Sequence, residues 1–227
     1  MTRGGSHPCP KTTGTGLVPS NLHTLSGSRN RLFASRLTIS NSEFDGTTST
    51  SASCNGDHYW TMMFYGKGDR VTIDRNYYHD VSGRAPKLGQ PGSTGVFQAS
   101  NNYFKNMKGH AFDIYPGATA LIEGNIFESV DIPMTDNSAK VSTVFDVPDA
   151  ASASACSSSL GRACQLNSFS ASGKWPSLKN SGALSNLAKS KNYLVKPVAS
   201  NQVGGIISSS VGPTRLSRRS LGRREHI

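Results

Sequence analysis

The stretch Val71-Thr-Ile-Asp-Arg-Asn-Tyr-Tyr78 contains the pattern that decides the fold: an apolar strand, then an asparagine, then an aromatic residue. Three other stretches repeat it. The apolar positions are Ile39, Ile73, Ala99 and Ile122, followed three residues later by Ser42, Asn76, Asn102 and Asn125, and five residues later by Phe44, Tyr78, Phe104 and Phe127. Ser42 and the three asparagines are 34, 26 and 23 residues apart. This period suits one coil of a solenoid, with loops inserted into the earlier coils.

A stacked β-coil gives a physical reason for the residue pair. Side chains at equivalent positions of neighbouring coils lie one strand spacing apart, so asparagines can bond to each other along the stack and aromatic rings can stack in the interior. The pattern therefore predicts an all-β fold, a single-stranded right-handed parallel β-helix. The alternative is a β-sandwich with asparagines in its turns.

The charge of the chain is concentrated at its two ends. The 227 residues carry a formal net charge of +10, but residues 37–214 hold 14 basic and 13 acidic side chains. The Arg-rich C-terminal end lacks the interleaved aromatic residues of a nucleic-acid-binding segment, so we expect no nucleic-acid partner. The absence of a run of eighteen apolar residues predicts no membrane span, and the N-terminus lacks the apolar core of a secretory signal.

Changes in amino-acid composition and in the strand pattern divide the chain into three parts. Residues 1–32 are rich in Gly, Ser, Thr and Pro without any period, which predicts disorder. Residues 33–205 carry the strand pattern and form one domain. Within them, the Ala- and Ser-rich segment after Pro148 is predicted to be a linker, and Leu184 and Leu187 lie on a predicted short helix. Residues 206–227 are predicted to be a disordered basic tail.

Four cysteines allow three disulfide pairings, and the sequence does not choose among them. Cys156 and Cys164 flank a short segment that a disulfide could close. Zinc binding is disfavoured because the C-x-x-C spacing is absent and no histidine lies near these cysteines.

The segment Ser82-Gly-Arg-Ala-Pro-Lys87 places two cations three residues apart. Gly83 permits backbone conformations that other residues avoid and Pro86 fixes its own φ, so Arg84 and Lys87 are expected to be held in place. A solvated basic turn is the simpler interpretation.

A second cluster, Cys54-Asn-Gly-Asp-His-Tyr-Trp60, precedes the next strand. Tyr59 and Trp60 are either core residues or a platform on which a sugar ring stacks. Loops after successive strands of a solenoid lie side by side, so Trp60 and Arg84 are predicted to share a cleft.

Other candidates are weaker. His110 and Asp113 lie in one strand-like segment, where an inward histidine is more often a hydrogen-bonded core residue than a base. The remaining aspartates do not have the spacing of a calcium loop, and neither paired carboxylates, nor G-x-S-x-G, nor a phosphate-binding glycine motif occurs. No metal and no cofactor is expected.

Together these segments resemble the pectin lyases of polysaccharide lyase family 1, secreted fungal enzymes with a parallel β-helix. The resemblance covers about residues 34–205. It rests on Arg36-Leu-Thr-Ile-Ser-Asn-Ser-Glu-Phe-Asp-Gly, the C-x5-W step that ends at Trp60, Val81-Ser-Gly-Arg-Ala-Pro-Lys87, Asn101-Asn-Tyr-Phe, Gly109-His-Ala-Phe-Asp, Glu123-Gly-Asn-Ile-Phe-Glu, and Cys156-x7-Cys164.

The resemblance implies β-elimination on methyl-esterified polygalacturonate, a carbon–oxygen lyase reaction that gives 4,5-unsaturated oligosaccharides. It implies Arg84 as the base, Lys87 as a cation in the cleft, and Tyr59 and Trp60 as cleft-lining residues. Nearby cations would favour the neutral form of the arginine side chain, the guanidine, which a base requires. It also implies secretion and a monomer.

The chain departs from the family upstream of Phe33, so we expect a lyase truncated at its N-terminal end and a Cys54 that is free unless Cys9 pairs with it. Two alternatives remain: a calcium-dependent pectate lyase and a non-catalytic β-helix that binds pectin through Trp60.

Overall fold

Parallel strands from successive stretches of the chain stack on one another in the computed structural model, which describes residues 36–141 and 143–211. The strands of these residues are β1 (Arg36–Ser40), β2 (Glu43–Asp45), β3 (Met63–Phe64), β4 (Lys67–Asp74), β5 (Tyr77–His79), β6 (Lys87–Leu88), β7 (Thr94–Ser100), β8 (Tyr103–Ile114), β9 (Ala118–Glu123), β10 (Ile126–Met134), β11 (Thr143–Phe145) and β12 (Ser168–Ser170). The helices are α1 (Asp136–Val141), α2 (Ala150–Leu160), α3 (Ser181–Ala188) and α4 (Ser200–Ser210), with a 3₁₀ turn at Lys191–Tyr193.

The strands form two long faces and one short one. The first sheet has the order β1-β4-β7-β9-β11 and the second the order β2-β5-β8-β10-β12. A short third ladder joins β3, β6 and the end of β8. Every pairing between these named strands is parallel. The predicted parallel β-helix is therefore confirmed and the β-sandwich, which pairs strands antiparallel, is wrong.

Asparagine side chains form a ladder at the turn between the first and second sheets. Asn102 Oδ1 accepts from Asn76 N at 3.1 Å and from Asn76 Nδ2 at 3.0 Å, and Asn125 Oδ1 accepts the same pair of bonds from Asn102 at 2.9 and 3.0 Å. Ser42 N donates to Asn76 Oδ1 at 3.1 Å. The ladder continues to Asn167, which the sequence pattern missed because a helix and loop, instead of an apolar strand, precede it.

Aromatic rings stack in the interior beneath the second sheet. Neighbouring centroids are 4.7 to 5.0 Å apart and the planes lie within 12° of parallel, in the order Phe44, Tyr78, Phe104, Phe127 and Phe169. Stacked rings at each coil fill the core and fix the register of the second sheet. The combination that the repeat predicted, a turn residue in the ladder with a stacked aromatic ring, is thus present at every coil that the repeat identified.

A buried ion pair attaches the segment after α2 to the first sheet. Glu123 is fully buried, and its carboxylate accepts from Arg162 Nη1 at 2.9 Å and Nη2 at 2.6 Å. Arg162 lies inside the loop closed by the Cys156–Cys164 disulfide, whose Cα atoms are 5.7 Å apart. This predicted disulfide is confirmed. The alternative of a free Cys54 is wrong, since none of the described cysteines is free.

Arg162→Ala should lower the free energy of unfolding by about 3 kcal/mol, because the Glu123 carboxylate would remain buried without its counter-ion. Lys179→Ala is the matched control, since the Lys179–Asp149 pair is similarly short at 2.6 Å but solvent-exposed. Urea unfolding of the two variants measures the difference. Equal losses in both variants would contradict a structural role for the buried pair.

Two expectations about the C-terminal part are wrong. The Ala-rich segment after Pro148 is the helix α2, not a linker. Alanine is the strongest helix former, and Asp149 caps the first turn by accepting from Ser152 N at 2.8 Å. The predicted tail boundary at residue 206 falls inside α4, where Val203 and Ile207, four residues apart, are both buried.

The predicted helix at Leu184 and Leu187 is confirmed as α3, with both side chains buried. The predicted disorder of residues 1–32 lies outside the described residues, as does most of the basic tail. Across the described ranges, no helix has the length and apolar character needed to cross a membrane.

Candidate active site

The outer face of the short third ladder carries a row of functional side chains. Met63, Lys87 and Asp113 occupy equivalent positions in three neighbouring coils, since Met63 pairs with Lys87 and Lys87 with Asp113. The backbone joins the two predicted loops directly: Met62 N donates to Arg84 O and Lys87 N donates to Met62 O, both at 2.8 Å. The loop that carries Trp60 and the loop that carries Arg84 are therefore adjacent, as the sequence predicted.

Arg84 is held rather than free. Its backbone has a φ of 50°, in the left-handed region, and it precedes a cis Ala85–Pro86 bond. The guanidinium carbon lies 5.2 Å from the centroid of the Tyr59 ring, and Nη1 contacts Met63 Sδ at 3.8 Å. A Cβ at Gly83 would lie 2.8 Å from the Tyr59 ring, so glycine lets the turn approach this ring closely.

Lys87 is a buried ammonium surrounded by aromatic rings. The residue is 7% exposed, and its Nζ lies 3.9 Å from the centroid of Tyr115 and 5.9 Å from that of Tyr65. Asp113 Oδ2 is 3.7 Å from the same Nζ, and Thr135 donates to Asp113 Oδ1 at 3.1 Å. Rings and carboxylate together stabilise a cation that would be costly to bury alone.

Tyr59 connects the exposed edge of the site to its interior. Its ring packs edge-on against Trp60 and against His110, with 5.6 Å between centroids in both cases. Trp60 is 43% exposed, an unusual exposure for so large an apolar surface. Of the two interpretations of this cluster, the geometry favours a platform for a ligand, because a core residue would be covered.

His110 is not the hydrogen-bonded core residue that the sequence indicated. Its Nε2 is buried and has no hydrogen-bond partner among the described residues. Burial lowers the pKa of His110 below its ordinary value; the nearby Arg84 and Lys87 lower it further, while Asp113 raises it. The imidazole is therefore neutral at pH 7.

Tyr65 and Tyr115 are also residues of this site, although no sequence motif pointed to them. Both follow a strand of the third ladder by one residue, Phe64 in β3 and Ile114 in β8, and that shared position was the available signal. The assembled site holds two cations, a neutral imidazole and several aromatic faces. It can stabilise developing negative charge on a substrate oxygen and can bind a sugar ring by its apolar face.

A second group of polar side chains lies on the second sheet. One ligand atom from each of Asp45, His79 and Asp80 lies within 4.8 Å of the others, although these aspartates have no metal-binding spacing in sequence. His79 Nδ1 is 2.7 Å from Asp80 Oδ2, and His79 Nε2 is 3.2 Å from Glu43 Oε1. These ion pairs account for the convergence, and the group lies on a different face of the solenoid from Lys87.

Residues 32–215 match the family model described as pectate lyase. The chain is 45% identical over 184 residues to a protein named probable pectin lyase F-1 from Aspergillus terreus, covering 79% of this chain and 47% of that protein. It is 41% identical to a probable pectin lyase E from Aspergillus fumigatus and to a probable pectin lyase F from Neosartorya fischeri, covering 79% of this chain and 48% of each relative. The chain thus spans about half the length of these relatives. On the match to most of its length, this chain belongs to the pectate lyase family.

Proposed function

We propose that this chain is a pectin lyase that cleaves methyl-esterified (1,4)-α-D-galacturonan by β-elimination. The observation that carries the proposal is the pair of cations, Arg84 and Lys87, held within the third ladder beside the aromatic surface of Tyr59 and Trp60. The relatives named pectin lyase support the same substrate class.

In this reaction the C5–H bond of a galacturonate methyl ester breaks and its electron pair is delocalised onto the ester carbonyl oxygen. The pair then forms the C4–C5 double bond as the C4–O bond breaks, and the departing oxygen takes up a proton. Arg84 accepts the C5 proton in its neutral guanidine form and becomes a guanidinium cation. Lys87 lies three residues away and offsets the negative charge that develops on the ester carbonyl oxygen.

Esterification matters for physical reasons. A free carboxylate next to C5 would oppose the development of further negative charge, whereas a methyl ester is neutral and accepts that charge on its carbonyl oxygen. The site offers aromatic faces and cations to such a group. Asp113, the carboxylate nearest to Lys87, already contacts that ammonium and accepts from Thr135. A calcium-dependent pectate lyase is therefore the less favoured alternative.

We also retain the inference that the chain acts as a secreted monomer. Pectin is a polymer of the plant cell wall, so an enzyme that degrades it has to meet it outside the producing cell. The described strands form a solenoid in which the site is built from a single chain, so a second copy is not required to complete the pair of cations.

The test is elimination by the chain itself, followed by the rise in ultraviolet absorbance that an unsaturated product gives. We expect a rise on highly methyl-esterified pectin that is unaffected by a chelator. A rise confined to de-esterified polygalacturonate and abolished by the chelator would instead identify a pectate lyase. Binding of esterified pectin without any product would identify a non-catalytic binding protein, and both of these results would overturn the proposal.

A further inference from the structure

Two buried polar atoms near the cleft lack hydrogen-bond partners. They are Nε of Arg84 and Nε2 of His110, and both are without a partner among the described residues. Arginine Nε always carries a hydrogen and can only donate, whereas the unprotonated nitrogen of a neutral imidazole can only accept. The two atoms therefore have complementary needs, and buried polar atoms in proteins are nearly always satisfied.

The register of the third ladder makes these two residues neighbours. Lys87 pairs with Asp113, and Ala85 N donates to Ala111 O at 3.0 Å. A backbone N–H in a parallel ladder donates to the residue before its register partner, so the bond from Ala85 places Arg84 opposite Ala111 and Gly83 opposite His110. His110 is thus a diagonal neighbour of Arg84. Residues at equivalent positions of adjacent parallel strands lie about one strand spacing, roughly 5 Å, apart.

Side-chain contacts support this adjacency. A Cβ built on Gly83, the residue before Arg84, would be 3.1 Å from His110 Cε1, the ring carbon bonded to Nε2. The Arg84 guanidinium and the His110 ring both pack against Tyr59, at 5.2 and 5.6 Å respectively. Two buried, unpaired atoms of opposite hydrogen-bonding character, on side chains that both pack against Tyr59, are suited to a single bridging water.

We infer that His110 is a positioning residue for the elimination, and that its neutral Nε2 accepts the Arg84 Nε–H through one buried water. This bond orients the guanidinium so that its Nη groups face the substrate. The role rests on the proposed lyase function. It does not require His110 to contact the substrate.

The charged and titratable groups around His110 keep this bridge intact at neutral pH. They are Tyr59, Arg84, Lys87 and Asp113. Arg84 and Lys87 oppose protonation of the imidazole and Asp113 favours it, while burial opposes it most strongly. As the pH falls through the lowered pKa of His110, Nε2 gains a proton, becomes a donor and can no longer accept from the bridging water.

The first test compares His110→Phe with His110→Gln. Phenylalanine fills a similar volume without an acceptor, whereas the glutamine amide oxygen can still accept. We expect His110→Phe to lower kcat on methyl-esterified pectin about 30-fold with KM changed less than about threefold, and His110→Gln to stay within about threefold of wild type. The control is His79→Gln, an ion-paired histidine of the second sheet, which should leave both constants unchanged.

The pH profile separates positioning from a purely structural role. In wild type, kcat should fall on the acid side through the pKa of His110, and this limb should be absent in His110→Gln. A profile that is identical in the two proteins would overturn the inference. So would equal losses of kcat in the Gln and Phe variants when both retain wild-type unfolding curves.

A second measurement does not depend on activity. The Arg84 Nε–H proton, followed by nitrogen-15 NMR at one fixed pH, should exchange with solvent at least about tenfold faster in His110→Phe than in wild type or His110→Gln. Equal exchange rates in all three proteins would refute the bridge. If this difference is found but no variant makes product, the bridge stands and the lyase proposal fails.

Discussion

Arg84→Ala should slow the cleavage of methyl-esterified pectin by at least about 10³-fold, because in the proposed mechanism Arg84 accepts the C5 proton. Binding of the polymer should change far less, since Tyr59 and Trp60 remain to contact the sugar. The substitution should leave the fold intact, because the Arg84 side chain contacts Tyr59 and Met63 and forms no ion pair among the described residues. Initial rates of absorbance increase and a parallel pull-down on esterified pectin measure the two quantities.

Arg75→Ala is the matched control. Arg75 also has a left-handed backbone, with a φ of 54°, but its side chain is exposed and pairs with Asp74. Any general effect of removing an arginine from such a turn should appear equally in both variants. An Arg84→Ala protein that retains a tenth or more of the wild-type rate would contradict the assignment of Arg84 as the base.

Asn102→Ala should lower the free energy of unfolding by about 4 kcal/mol, the largest loss expected from a single polar side chain in this fold. Asn102 is fully buried. Its amide nitrogen donates to Ile73 O and to Asn125 Oδ1, and its oxygen accepts two bonds from Asn76. Alanine would remove all four of these bonds at the centre of the ladder and would leave the buried Asn76 N–H without its side-chain acceptor. Urea unfolding followed by circular dichroism measures the loss.

Asn137→Ala provides the comparison, because Asn137 is an exposed residue of α1. We expect its stability to remain within about 0.5 kcal/mol of wild type. If Asn102→Ala is no more destabilising than Asn137→Ala, the asparagine ladder does not hold the coils together and the explanation of the repeat is wrong.

The architecture was predictable from the repeat because each coil places the same types of residue at the same positions of the turn and of the interior. Asn76 and Asn102 occupy one position of the turn, and Tyr78 and Phe104 one position of the interior, so the spacing of these pairs reveals the register. The same register placed Arg84 beside the loop of Trp60. In a solenoid, residues one repeat apart in sequence are neighbours in space. Their positions can therefore be predicted from the sequence more directly than in folds with long-range strand pairing.

Two features were not predictable, for different reasons. The helix α2 depends on the cap supplied by Asp149 and on burial of Cys156 and Leu160, while its Ala- and Ser-rich composition is equally typical of a linker. The surroundings of Lys87 depend on Tyr65 and Tyr115, which lie 22 and 28 residues away along the chain. The repeat concerns the turn between the other two sheets and contains no information about these rings.

The chemistry of the cleft is tested most directly by the fate of the hydrogen at C5. Methyl-esterified oligogalacturonate carrying deuterium at C5 is incubated with the chain, and the new chain ends are analysed by mass spectrometry and NMR. We predict ends with a C4–C5 double bond and no deuterium at C5, formed by wild type and not by Arg84→Ala. Ends that retain deuterium and carry a hydroxyl at C4, or the absence of any new ends, would contradict the proposed elimination.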